Sequence, residues 1–223
     1  SVSKLPDYNR LASTYRPPLA SGLFSRHPHF DEWISRYHAC NAVINQLQSP
    51  PKGSSVEGEL EKLWAERERN PRRYRQLAAV QFYLHSMIWE CTERWEREVA
   101  KGVTNYKNLL DRIDSWRRQT NEKVCLVTFN YDTMLENALV DLDIRISDLP
   151  HYAANDDYKI IKPHGSVNWA HGVYGDIIKD LRRISLDVAN ELIEKRSELT
   201  IASDFQMLKQ PLVSQSAVWF SES

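Results

Sequence analysis

Neither sign of charge dominates this chain: 29 lysines and arginines stand against 30 aspartates and glutamates, a formal net charge of -1. That balance excludes the global basic field that draws a protein to nucleic acid or to an anionic membrane. Long apolar runs are missing too, and none approaches the roughly 20 residues that span a bilayer. The opening residues, SVSKLPDYNRLAS, lack the apolar core of a signal peptide. Cysteine is scarce. Cys40, Cys91 and Cys125 are widely separated and odd in number, which excludes a C-x-x-C zinc ribbon and argues against a disulfide scaffold. Each is expected to be a buried thiol. Glycine is sparse as well, and the first stands at Gly22. What remains is the expectation of a soluble, cytoplasmic, globular protein with no membrane partner and no direct nucleic-acid partner.

At 223 residues the chain can bury a substantial core. Residues 28–120 read as helices. In PHFDEWISRYHACNAVINQLQ, the residues Phe30, Trp33, Ile34, Tyr37, Val43, Ile44 and Leu47 fall at helical spacing, up to the break at Ser49-Pro50-Pro51. A helix is expected after Ser55, and Pro71 suits the first turn of the next. That next helix carries Leu77, Leu84, Ile88, Cys91 and Trp95 on one stripe. A last helix, TNYKNLLDRIDSWRRQT, should turn Leu109, Leu110, Ile113 and Trp116 inward. The tryptophans Trp33, Trp64, Trp89, Trp95 and Trp116 read as packing residues or as part of an oligomer face. His27, His29, Asp31 and His38 match no zinc spacing and read as solvated groups.

From Lys123 the texture changes. VCLVTF is a continuous apolar run, as expected of a parallel strand buried on both faces. TMLENALVDL returns to helical spacing, and Thr133 with Glu136 has the form of a capping box. YKIIKPHG reads as a second strand and LTIAS, near residue 200, as a third. Strand, helix, strand implies an α/β fold: a Rossmann-like parallel sheet over residues 121–223 with a large helical layer or insertion from residues 28–120. In open α/β sheets ligands bind beyond the carboxyl ends of the strands. Asn130 and Asp132 occupy that position after the first strand, and His164 and Ser166 after the second. An amide, a carboxylate, an imidazole and a hydroxyl would thus converge, enough to bind a sugar and deprotonate a hydroxyl or water. Asn and Asp are also common in ordinary strand-to-helix turns.

TFNYDTMLENAL followed by IKPHGSVNW resembles the sirtuin-like NAD-consuming domains of bacterial defence proteins. The likeness covers about forty residues of the second half, and the ordered pair of motifs is more specific than either alone. YRPPLASGLF is similar to the Pro-rich loop that follows the family's glycine-rich turn. The resemblance implies roles by position. Asn130 matches the asparagine near the nicotinamide ribose and the attacking water, and His164 the general base. Asp132 matches the acidic residue that hydrogen-bonds the nicotinamide amide, while Thr128, Gly165 and Ser166 would line the cofactor pocket. NAD is then the substrate, no metal is needed, and the product pair is nicotinamide and ADP-ribose. A homo-oligomer, or a sensor or activator protein, is the implied partner of such an antiphage effector.

Two departures bear on the expectation. The chain has no paired cysteines for the zinc of sirtuin deacetylases, which favours NAD hydrolysis over deacetylation. It also shows no G-x-G turn before YRPPLASGLF, so part of the domain is expected outside these residues. Two alternatives follow: a module that binds NAD or ADP-ribose without cleaving it, and a scaffold whose helical half docks a partner protein.

Overall fold

The computed structural model describes residues 15, 16, 18, 22–25, 28–100, 104–174, 185–195, 200–207 and 218–220. His27 and part of the Pro-rich loop YRPPLASGLF, both weighed above, lie outside these. Four helices open the architecture: α1 (Pro28–Arg36), α2 (Asn41–Gln48), α3 (Val56–Ala65) and α4 (Arg72–Arg94). A π-helical turn, Trp95–Val99, ends α4, and α5 (Asn105–Thr120) follows. Then come β1 (Val124–Val127), α6 (Met134–Leu139), α7 (His151–Ala154) and β2 (Tyr158–Ile161). The chain continues through β3 (Trp169–Tyr174), α8 (Ser185–Glu194), β4 (Thr200–Met207) and β5 (Val218–Phe220).

Helix ends follow local chemistry. The Ser55 hydroxyl accepts from the Gly58 amide at 3.1 Å to start α3, and Thr104 accepts from Lys107 at 3.2 Å to start α5. Asn121 ends α5 in the left-handed region, φ 57°, a conformation that Asn tolerates better than most residues.

Two apolar cores form. The first joins α1 to α4 with α8, around Leu47, Leu63, Tyr83, Met87 and Leu192. The second joins α5, α6 and α7 to the inner face of β1 and β2, around Leu110, Leu139, Tyr158 and Ile160. Tyr131 and Val167 pack into the first core, whereas Leu135 and Ile160 belong to the second. The two segments carrying the sequence motifs therefore lie on the seam between the cores.

β1 and β2 pair in parallel, with Val124 opposite Tyr158 and Val127 opposite Ile161. This is the strand-helix-strand unit expected from the sequence. Among the described residues it does not widen into a Rossmann-like sheet. The LTIAS strand lies elsewhere, as β4, antiparallel to β3 in a sheet of order β4-β3-β5. The fold is mixed α/β and mostly helical.

Several burial expectations fail for one reason: an apolar residue was assigned inward without knowing which face the neighbour covers. β1 and β2 are buried on one face only, leaving Val127 55% and Ile161 48% exposed. Cys125 points the same way and is exposed, while Cys40 and Cys91 are buried. On α5, Leu110 is buried and Ile113 packs against the core, but Leu109 and Trp116 face solvent. Trp64, for which packing and an oligomer face were both open, is exposed, with the Arg67 guanidinium 4.1 Å from its ring centroid. No described helix is long and apolar enough to cross a membrane.

This pattern sets a stability test. Leu110→Ala empties a site in the second core and is expected to cost about 2–5 kcal/mol. Its neighbour Leu109→Ala should stay within about 0.5 kcal/mol of the parent. Urea unfolding of the two variants checks the assignment, and equal losses would contradict it.

Candidate functional site

Parallel pairing of β1 and β2 brings their carboxyl ends side by side. The ladder runs one step past the strands, with the Thr128 amide donating to Ile161 O at 3.0 Å. Beyond it the 128–133 and 162–168 turns lie against each other. The Val167 amide donates to Tyr131 O at 2.8 Å, and the Ser166 hydroxyl donates to the same oxygen at 3.2 Å. The His164 ring sits between two aromatic neighbours, 5.4 Å from Phe129 and 6.2 Å from Tyr131 by ring centroids. Gly165 has φ 79°, and its amide closes a turn onto Lys162 O at 3.0 Å. A side chain there would be strained, so the glycine is a requirement of the turn.

Lys162 is the residue on which the two turns meet. Its side chain is 1% exposed. The ammonium has three N–H donors, and each has an acceptor: Asp132 O at 2.5 Å, Glu136 Oε1 at 2.9 Å and Ser166 Oγ at 2.8 Å. One acceptor belongs to the first turn, one to α6 and one to the second turn. Glu136 Oε1 also accepts from the Tyr152 hydroxyl at 2.6 Å, whereas Glu136 Oε2 is buried and has no hydrogen-bond partner among the described residues. Burial of a charge is costly unless it is paired and fully hydrogen-bonded, and Lys162 meets that condition.

This network corrects the expected capping box. The Thr133 side chain makes no capping bond, and Glu136 is turned into the core toward Lys162. Asp132 does the work at the helix start instead, with Oδ1 accepting from the Met134 amide at 3.0 Å. The physical reason is competition: a buried ammonium is a stronger partner for Glu136 than a backbone amide.

The remaining sequence-derived residues divide clearly. Asn130 and His164 are exposed at the end of the strand pair. Asn130 is held from two sides: its backbone amide donates to Thr128 Oγ1 at 3.2 Å, and Nδ2 donates to the Tyr106 hydroxyl at 2.7 Å. Thr128 thus serves the turn. Ser166 is 1% exposed, and its hydroxyl is occupied by Lys162 and Tyr131, so it joins the two turns and does not face solvent. The structure brings together the turns of Phe129, Tyr131, Asp132, His164 and Ser166. It gives no hydrogen bond between Asn130 and His164.

From the helical half, two titratable groups reach this seam. His85 of α4 hydrogen-bonds the backbone of Val167, and burial pushes its imidazole down to about 4, which keeps it neutral at physiological pH. Glu96, on the π-helical turn, accepts from Asn137 Nδ2 at 2.7 Å. Burial pushes its carboxyl up to about 7; the Asn137 bond opposes this, while Asp132, Glu93 and Glu136 add to it through charge repulsion. Asp132 is raised as well, first by burial, against the opposing Met134 hydrogen bond and Lys162 charge. Among the described residues no group of His, Cys, Asp and Glu side chains could hold a metal ion.

Lys162, Tyr106, Glu96 and His85 were not singled out by the sequence. Lys162 left one usable trace, a lysine closing the apolar run YKII just before Pro163. The others lie on amphipathic helices, where nothing distinguishes them from solvated or packing residues. Comparison with family models, curated proteins and solved structures finds no match to this chain.

Lys162→Met should destabilise the protein by about 3–5 kcal/mol, because Glu136 is left buried without its cation. Adding Glu136→Leu should restore part of that loss in chemical unfolding, and additive losses would contradict the pairing. Glu96 makes a second test. An acid with a folded pKa near 7 and an unfolded value near 4.5 binds more protons in the folded state between those values. The parent therefore loses stability as pH rises through that window, and Glu96→Gln removes the loss. The thermal-midpoint advantage of Glu96→Gln is expected to be near zero at acid pH, to grow across the window, and to level off above about 7.

Proposed function

We propose that this chain is a sirtuin-like domain with a Rossmann-like parallel core that hydrolyses NAD to nicotinamide and ADP-ribose. The observation that carries the reading is the joining of two motif-bearing turns at the carboxyl ends of a parallel strand pair, with Asn130 and His164 left exposed. Parallel strand ends are where α/β folds bind ligands. A buried Lys162 behind the turns gives such a site the rigid backing that positioning catalysis requires.

In this reading the glycosidic bond between the ribose and the nicotinamide nitrogen breaks, and its electron pair goes to the departing nicotinamide. The ribose carbon takes on oxocarbenium character and is attacked by water. His164 accepts the water proton, since an imidazole can serve as a base at neutral pH. Asn130 orients the attacking water through its amide oxygen. Asp132 faces the nicotinamide amide. No metal takes part. By the resemblance, the domain acts as an antiphage effector that depletes NAD when an oligomer forms or a sensor protein engages it.

A module that holds NAD without cleaving it is the second reading. The lack of a G-x-G phosphate turn in these residues favours it. Nicotinamide release measured by chromatography separates the two. Under the first reading His164→Ala lowers turnover by about 10²–10⁴-fold, the range of a general base, and Asn130→Ala lowers it strongly. Tight NAD binding without product selects the second reading, and unchanged turnover in His164→Ala rejects the first.

A further inference from the structure

The side chain of Asn130 is exposed, yet its amide is not free to turn. Its Nδ2 donates to the hydroxyl of Tyr106, 24 residues earlier in the chain, at 2.7 Å. Tyr106 lies in the first turn of α5, just after the capping Thr104. That turn is anchored on several sides. Thr104 is buried and caps the Lys107 amide, Lys107 Nζ reaches Asp141 Oδ2 at 2.6 Å, and Leu110 is buried in the second core. The Tyr106 ring itself packs against that core. Its hydroxyl is therefore a fixed point on the rigid helical layer.

We propose that Tyr106 is a positioning residue: its hydroxyl, bonded to the Asn130 carboxamide on one edge, holds that group in place so that the opposite edge, carrying Oδ1, is offered to the substrate or attacking water. This rests on the NAD-cleavage reading given above. A carboxamide carries a donor and an acceptor on opposite edges, and the two orientations have nearly the same shape. A loop asparagine without a partner samples both. Only the oxygen edge can accept a hydrogen bond from water or from a ribose hydroxyl. With Nδ2 bonded to the Tyr106 hydroxyl, and the backbone amide bonded to Thr128 Oγ1 at 3.2 Å, the carboxamide is held in place before substrate arrives, with Oδ1 on the edge away from Tyr106. The orientation entropy is lost on folding, not during reaction. Tyr106 touches no reacting atom and acts through Asn130.

The experiment compares the parent chain with Tyr106→Phe, Asn130→Ala and the double variant. Tyr106→Phe keeps the ring in the core and removes only the hydroxyl. Turnover should fall by about 3–10-fold with KM within about twofold, the size expected for one hydrogen bond. In the Asn130→Ala background the same change should have no further effect, because the group it acts through is gone. A merely structural role would lower both backgrounds alike.

A readout independent of turnover is the pair of Asn130 side-chain amide signals in nitrogen-proton NMR spectra, assigned by their loss in Asn130→Ala. Tyr106→Phe should shift them and speed their exchange with water. Unshifted amide signals, or multiplicative losses in the double variant, overturn the Tyr106 role while NAD cleavage by the parent stands. If the amide signals respond but the parent releases no nicotinamide, the cleavage reading fails and takes with it the role given to the Asn130 oxygen.

Discussion

A single buried ammonium holds the candidate site together. Lys162 Nζ spends its three donors on the Asp132 carbonyl, the Glu136 carboxylate and the Ser166 hydroxyl. Parallel pairing alone would leave two loop ends adjacent but free to move apart. The ammonium makes that separation expensive, because each broken bond leaves a polar group in the core without water to replace it. It also explains why Glu136 faces inward and why Asp132 takes over the start of α6. Local capping chemistry yields here to the demand of a buried charge.

Around this point the fold behaves as two packed bodies meeting at a seam. Helix-borne side chains brace the turns and α6 near it at three places: His85 at the backbone of Val167, Glu96 at Asn137 and Tyr106 at Asn130. The Glu96 contact comes from a π-helical turn, a departure from α geometry that shifts side chains around the helix and often occurs at functional sites. A carboxyl that titrates near neutrality beside another raised carboxyl is the kind of perturbation that concentrates around sites of chemistry. The helices therefore support the turns and are more than a cover for the sheet.

Much of this frame was legible in the residues. The apolar run before Phe129 and the shorter run before Pro163 identified β1 and β2, and the helix between them implied the parallel pairing. Helical periodicity located α4, α5 and the stretch that forms α1 and α2, though not the 3-10 turn His38–Cys40 that divides those two. What periodicity could not supply was the boundary of the stripe. Leu109 and Leu110 are adjacent on α5, and only the position of α6 decides that Leu110 is the buried one. Cys125 and Val127 looked buried because an apolar run carries no mark of which face is covered. Lys162 was invisible for a different reason: a buried lysine is spelled like a solvated one, and its partners lie 30, 26 and 4 residues away. Tyr106 and Asn130 are likewise joined only in space.

The claim at the centre of this account is that the two turns form one ligand site. Hydrogen exchange of the intact chain with and without NAD addresses it directly. Residues 128–133 and 162–168 are expected to gain protection together, with the first turn of α5 following through Tyr106. Saturating NAD that protects neither turn, or protects one and leaves the other unchanged, would contradict it.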